Sequence, residues 1–209
     1  MRAYLAGAAV TGLAVLMTAG PAQAQPVVYR VVNVDSHDVL NVRRTPSPTS
    51  ALVGSLPPGA SRVEVLETRH GWGRVLLRGA EGWVSLAYLA EDARPDIPGQ
   101  SAPGGFACAG TEPFWGLEID AGGQGRFNDA MSMGEERGFE VSDARTARGR
   151  MYPFVYRFEG EVTGFALVSP QACSDGMSER GYGWRVSADV EDGEGRRLLD
   201  GCCWTPAAE

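Results

Sequence analysis

Side chains able to do chemistry are few in this chain and unevenly placed. It holds two histidines, four cysteines and no lysine, all 19 basic residues being arginine. His37 and His70 both precede Gly71, and no histidine follows. A Ser-His-Asp or Cys-His arrangement therefore cannot be built from the second half of the chain, and a Ser-x-x-Lys site is impossible anywhere. The polar and aromatic candidates that remain there are Glu112, Trp115, Asp175, Ser178, Arg180 and Tyr182. Glu112 with Asp175 could form a carboxylate pair of the kind that cleaves glycosides. The competing reading is that Gly110, Pro113 and Asp175-Gly176 are turn residues fixed beside disulfides. His37 and His70 read as solvated loop residues.

The cysteines are Cys108, Cys173, Cys202 and Cys203. No C-x-x-C pair and no nearby histidine gives them zinc-ligand spacing, and no D-x-D-x-D-G loop offers a calcium site. No metal and no cofactor is expected. In an exported chain these cysteines predict disulfides. Adjacent residues on an extended chain point to opposite faces, so a Cys202–Cys203 bond would need strained backbone. Cys108 and Cys173 are therefore each expected to pair with one member of the doublet, and which takes which is left open.

The elements that must carry these residues read as all-β throughout. Residues 1–24 have a basic start, an apolar run and an Ala22-Gln23-Ala24 site, the pattern of a secretory signal peptide cut after Ala24. No later apolar run approaches the roughly 18 residues of a membrane span. Residues 25–90 alternate short strands with turns such as Pro57-Pro58-Gly59 and His70-Gly71-Trp72-Gly73. In Arg62-Val63-Glu64-Val65 the valines should face a core while Arg62 and Glu64 face water. Residues 91–105, EDARPDIPGQSAPGG, have linker composition and predict two independent domains on a tether.

Residues 106–209 alternate again. Trp115/Leu117/Ile119, Phe154/Tyr156/Phe158 and Tyr182/Trp184/Val186/Ala188/Val190 each mark one inward face, predicting an antiparallel sandwich or barrel. Residues 132–149 are polar without clear period and read as a loop, with room for one helical turn. This half carries 10 arginines against 19 acids from Asp96 onward, a balance that argues against nucleic acid or anionic lipid as its partner.

In residues 39–89 the series Leu40-Asn41-Val42-Arg43, Gly54-Ser55-Leu56, Pro58-Gly59, Val63 to Leu66, Gly71-Trp72 with Val75, Gly82-Trp83-Val84 and Tyr88-Leu89 resembles the bacterial SH3-like (SH3b) domain family. That resemblance implies an SH3-like small barrel, non-catalytic, that recognises cell-wall peptide or a protein partner. Trp72, Trp83 and Tyr88 could line an aromatic groove beside Arg43 and Arg44, or the tryptophans could be core residues. Residues Cys108 to Trp115, Cys173 to Ser178 and Gly201-Cys202-Cys203 are similar to an uncharacterised envelope family carrying a G-T-E-P-F-W motif, which implies no activity.

Together these readings point to a non-catalytic periplasmic or secreted envelope protein. Its SH3-like module would bind peptidoglycan or an envelope protein, and its second domain a ligand or protein. The alternatives are a wall-targeted hydrolase using a carboxylate pair and an inhibitory or structural envelope factor.

Overall fold

The computed structural model describes residues 26–77 and 80–207; the expected signal peptide lies outside the described residues. Seven strands form the first sheet: β1 (Val27–Val31), β2 (Leu40–Arg43), β3 (Leu52–Leu56), β4 (Val63–Arg69), β5 (Trp72–Leu77), β6 (Ala80–Ser85) and β7 (Leu89–Glu91). Their spatial order is β3-β2-β6-β5-β4-β1-β7, with antiparallel pairing throughout. Branched aliphatic residues suit a pleated, half-buried surface. Here Val31, Leu40, Val42, Leu56, Val63, Val65, Val75 and Val84 close one small core. The β4–β5 turn is only His70-Gly71, both at positive φ, and Trp72 already begins β5. His70 is thus an exposed turn residue, as is His37 in the β1–β2 loop.

Eight strands close the second sheet into an antiparallel barrel: β8 (Phe106–Thr111), β9 (Phe114–Ile119), β10 (Gln124–Asp129), β11 (Arg137–Thr146), β12 (Phe154–Gly160), β13 (Thr163–Ser174), β14 (Gly181–Asp192) and β15 (Gly195–Trp204). Of the sandwich and the barrel, the chain adopts the barrel. Closure removes both edges of this sheet, so no strand of the barrel is left to template aggregation. The interior is filled: Phe106, Phe127, Tyr156, Phe158, Trp184, Val186, Ala188 and Val190 are all 2% exposed or less. Eight strands leave a lumen that side chains can just fill.

The stretch 132–149, expected to be a loop, contains β11. Phe139 and Val141 face the core, a bulge between Val141 and Asp143 resets the period, and Ala144 is the next inward residue. The extra residue scrambles the two-residue alternation that marks a strand. Tyr182 also departs from expectation. It is only half-buried, its ring lies 5.6 Å from Trp204, and inward packing on β14 starts at Trp184.

Both disulfides use the Cys202-Cys203 doublet. Cys203 points into the barrel and bonds Cys108, its direct cross-strand partner on β8. Cys202, on the opposite face of β15, bonds Cys173. The second bridge holds the β13–β14 hairpin against β15, and Thr111 Oγ1 donates to the Asp175 carbonyl at 2.9 Å from β8.

The barrel's two ends are sealed differently. At one, Asp129 and Asp192 each pair with both Arg137 and Arg197, the acids being at most 3% exposed in their side chains. Burial works against ionisation of both carboxyls, yet hydrogen bonds from Ser132 to Asp129 and from Arg197 to Asp192, with the two guanidinium charges, hold them below the usual range. At the other end, where Phe106, Phe154 and Trp184 cluster, the seal is the first module together with residues 91–105.

Residues 91–105 do not behave as the expected tether. Ile97 and Ala102 are 3% and 0% exposed and belong to the barrel's own core. The Pro103 carbonyl accepts the buried Tyr156 hydroxyl at 2.8 Å, and Gln100 caps the Ala144 N–H. Proline and glycine kept this stretch from regular structure, but not from packing.

Candidate binding site

The groove residues expected on the first module separate into two groups. Trp72 at the start of β5, Tyr88 in the 3-10 turn Leu86–Tyr88, and Arg43 at the end of β2 line one open cavity of about 550 Å³. Asn33, Asp35 and Asp38 from the β1–β2 loop complete its rim. Tyr88 is 42% exposed, and Trp72 is half-buried, so each ring has a face available. Arg43 is oriented by a 2.8 Å bond from Nη1 to the Ser50 carbonyl. The two aspartates are held in place by backbone N–H groups, from His37 to Asp35 and from Val39 to Asp38. The cavity thus offers two aromatic side chains, one guanidinium and two carboxylates.

Trp83 does not join them. It is 8% exposed, and the Arg69 guanidinium lies 5.3 Å over its ring. Arg44 is exposed and outside the cavity lining.

On the barrel, the candidates fall apart in the same way. Trp115 is 4% exposed, stacks on Phe127 at 6.4 Å, and is wedged against Gly110 and Gly201, where any side chain would strike its indole. It is a core residue. Glu112 and Pro113 are the exposed tip of the β8–β9 hairpin, joined by a cis peptide bond. Asp175 accepts from the Ser178 N–H at 2.8 Å, the Met177 N–H at 3.0 Å, the Ser178 hydroxyl and the Tyr182 hydroxyl. The Ser178 N–H and hydroxyl lead in holding its carboxyl below the usual range. A carboxylate so fully engaged stays ionised and is poorly suited to act as a general acid. Arg180 and Tyr182 instead line a cleft of about 920 Å³ between the modules, facing Leu56, Leu76, Leu77 and Trp204. Among the described residues, no group of three or more His, Cys, Asp or Glu could hold a metal ion.

The junction itself was not legible as a site. Glu64 on β4 does point away from the first module's core, as the alternation requires, but it meets the barrel rather than water and is 3% exposed. Its Oε1 accepts the Trp184 indole N–H at 2.6 Å, and its Oε2 accepts the Thr205 backbone N–H at 2.7 Å. Arg94 acts on it through space. Burial outweighs all three and pushes the Glu64 carboxyl up to about 7.

Residues 38–90 match the family model described as the bacterial SH3 domain. The first module is thus similar to bacterial SH3 domains over these residues, an SH3-like domain. No curated protein and no solved structure matches the chain. Two disulfides in the barrel and an SH3-like domain beside it are consistent with a protein that works outside the cytoplasm. Among the described residues, no helix is long and apolar enough to cross a membrane.

Proposed function

We propose that this is an exported, non-catalytic envelope protein whose SH3-like domain binds cell-wall peptide or an envelope protein in the Trp72–Tyr88 groove. The observation that carries this reading is that Trp72, Tyr88 and Arg43 share one open cavity while the other module tryptophan is packed away. Aromatic faces supply contact area at low entropic cost, and the charged rim orients a peptide's own charges. The barrel serves as a second ligand- or protein-binding unit and, through the buried junction, as a rigid mount for the SH3-like domain. Incubating the purified protein with isolated peptidoglycan tests the reading. Retention in the pellet without released fragments supports wall binding. Retention on an immobilised envelope protein alone selects the protein-partner branch, and soluble muropeptides in the supernatant would replace binding with hydrolysis.

A further inference from the structure

The barrel end that meets the SH3-like domain has the composition of a carboxyl-binding site, and the residue occupying it comes from the other module. Two N–H donors of different origin converge there: the Trp184 side chain and the Thr205 backbone, at 2.6 and 2.7 Å from the two oxygens of one carboxyl group. A cation stands behind them, with the Arg94 guanidinium 4.4 Å over the Trp184 ring and 5.4 Å over Phe106. The ring geometry is itself fixed, since Trp184 packs edge-to-face on Phe106 and Tyr152. Such a preorganised donor set loses little on binding.

Further donors lie unused in the same place. Arg94 Nε and Thr205 Oγ1 are buried without a hydrogen-bond partner, and Thr205 as a residue is only 5% exposed. Buried polar groups without partners are uncommon and ask for a reason. A site built for one carboxyl side chain would not need to keep two more donors unspent. A ligand larger than Glu64's carboxyl would use them.

We propose that this end of the barrel is a carboxyl-binding site that Glu64 fills in cis, so that a ligand with a free carboxyl group competes with the SH3-like domain for it. The occupied form is the docked form, and release of Glu64 opens the site. Gly183, beside Trp184, permits the close approach: a Cβ there would collide with Pro26 and come within 2.9 Å of Glu64 Oε1. The reading is independent of the SH3 groove, which lies on other residues.

Chemical rescue in the full chain tests it, with acetate as the probe. In Glu64→Ala the donors remain and the carboxyl is gone. Sodium acetate at ten times its Kd should raise the Tm of this variant by about 3–5 °C over sodium chloride of equal ionic strength. Wild type and Glu64→Gln, whose sites are filled, should respond alike to the two salts. Glu64→Gln gives a second readout that does not depend on the alanine variant folding. Its Trp184 indole N–H resonance should move from the wild-type position, because the amide replaces the carboxyl oxygen it donates to. An alanine variant that responds equally to acetate and chloride, or an indole resonance in Glu64→Gln that keeps its wild-type position, overturns the site.

Discussion

The Glu64 carboxyl and the Trp184 indole are 120 residues apart in sequence and 2.6 Å apart in space, and their bond joins the SH3-like domain to the barrel core. A carboxyl in that position makes docking depend on pH. Folded, burial pushes it up to about 7, against 4.5 for a solvated glutamate, so between these values the folded chain holds a proton that the unfolded chain has lost. The stability it contributes is complete below about pH 4.5 and is lost as pH rises through about 7, a swing of roughly 3 kcal/mol. Arg94 is the charged group facing it, and Tyr152 and Tyr156 face Arg94 in turn. Urea midpoints for wild type should fall from pH 5 to pH 8 relative to Glu64→Gln. Parallel profiles for the two proteins would contradict the assignment.

Gly183→Val should undock the modules without unfolding either. The added side chain meets Pro26 and Glu64 at the point of closest approach, while Trp184 next to it stays anchored by the barrel core. Limited proteolysis should then cut between β7 and Ile97, because Ile97, Ala102 and the Tyr156 hydroxyl hold the rest of residues 91–105 to the barrel itself. Equal resistance of variant and wild type would show that the junction tolerates the substitution.

The two disulfides should differ in what their loss does. Cys108–Cys203 spans 95 residues and sits in the core, so the chain-entropy account gives it about 4–5 kcal/mol. Cys173–Cys202 spans 29 residues and fastens a surface hairpin. Cys108→Ser with Cys203→Ser should therefore abolish the cooperative barrel transition, while Cys173→Ser with Cys202→Ser should lower its Tm and leave it intact. A non-reduced digest should yield one cluster in which the Cys108 and Cys173 peptides are both joined to the peptide carrying Cys202 and Cys203, and a separate Cys108–Cys173 peptide would contradict the structure.

What could be read beforehand was whatever follows from local alternation. Val63 and Val65, Phe154 to Phe158 and Trp184 to Val190 announce their faces, and the doublet Cys202-Cys203 excludes its own bond by the same two-residue period. Alternation says only that Glu64 points away from its own core. Whether water or another domain waits there is a long-range fact, carried by Trp184 and Thr205 far along the chain. The Asp129, Arg137, Asp192 and Arg197 ring was illegible for the same reason, since each member looks alone like a surface charge. In residues 91–105, Ile97 and Ala102 were too few to show a period, although an apolar residue amid prolines was the available signal.

The groove is tested most directly by peptidoglycan cosedimentation of the full chain, comparing wild type with Trp72→Ala and Trp83→Ala at matched folded fraction. Trp72 lines the open cavity, so its truncation should cut retention at least tenfold while shifting Tm little. Trp83 is packed under Arg69, so its truncation should lower the Tm and leave the retention of the folded fraction near wild type. Equal retention by Trp72→Ala and wild type, or loss of retention only in Trp83→Ala, would contradict the account.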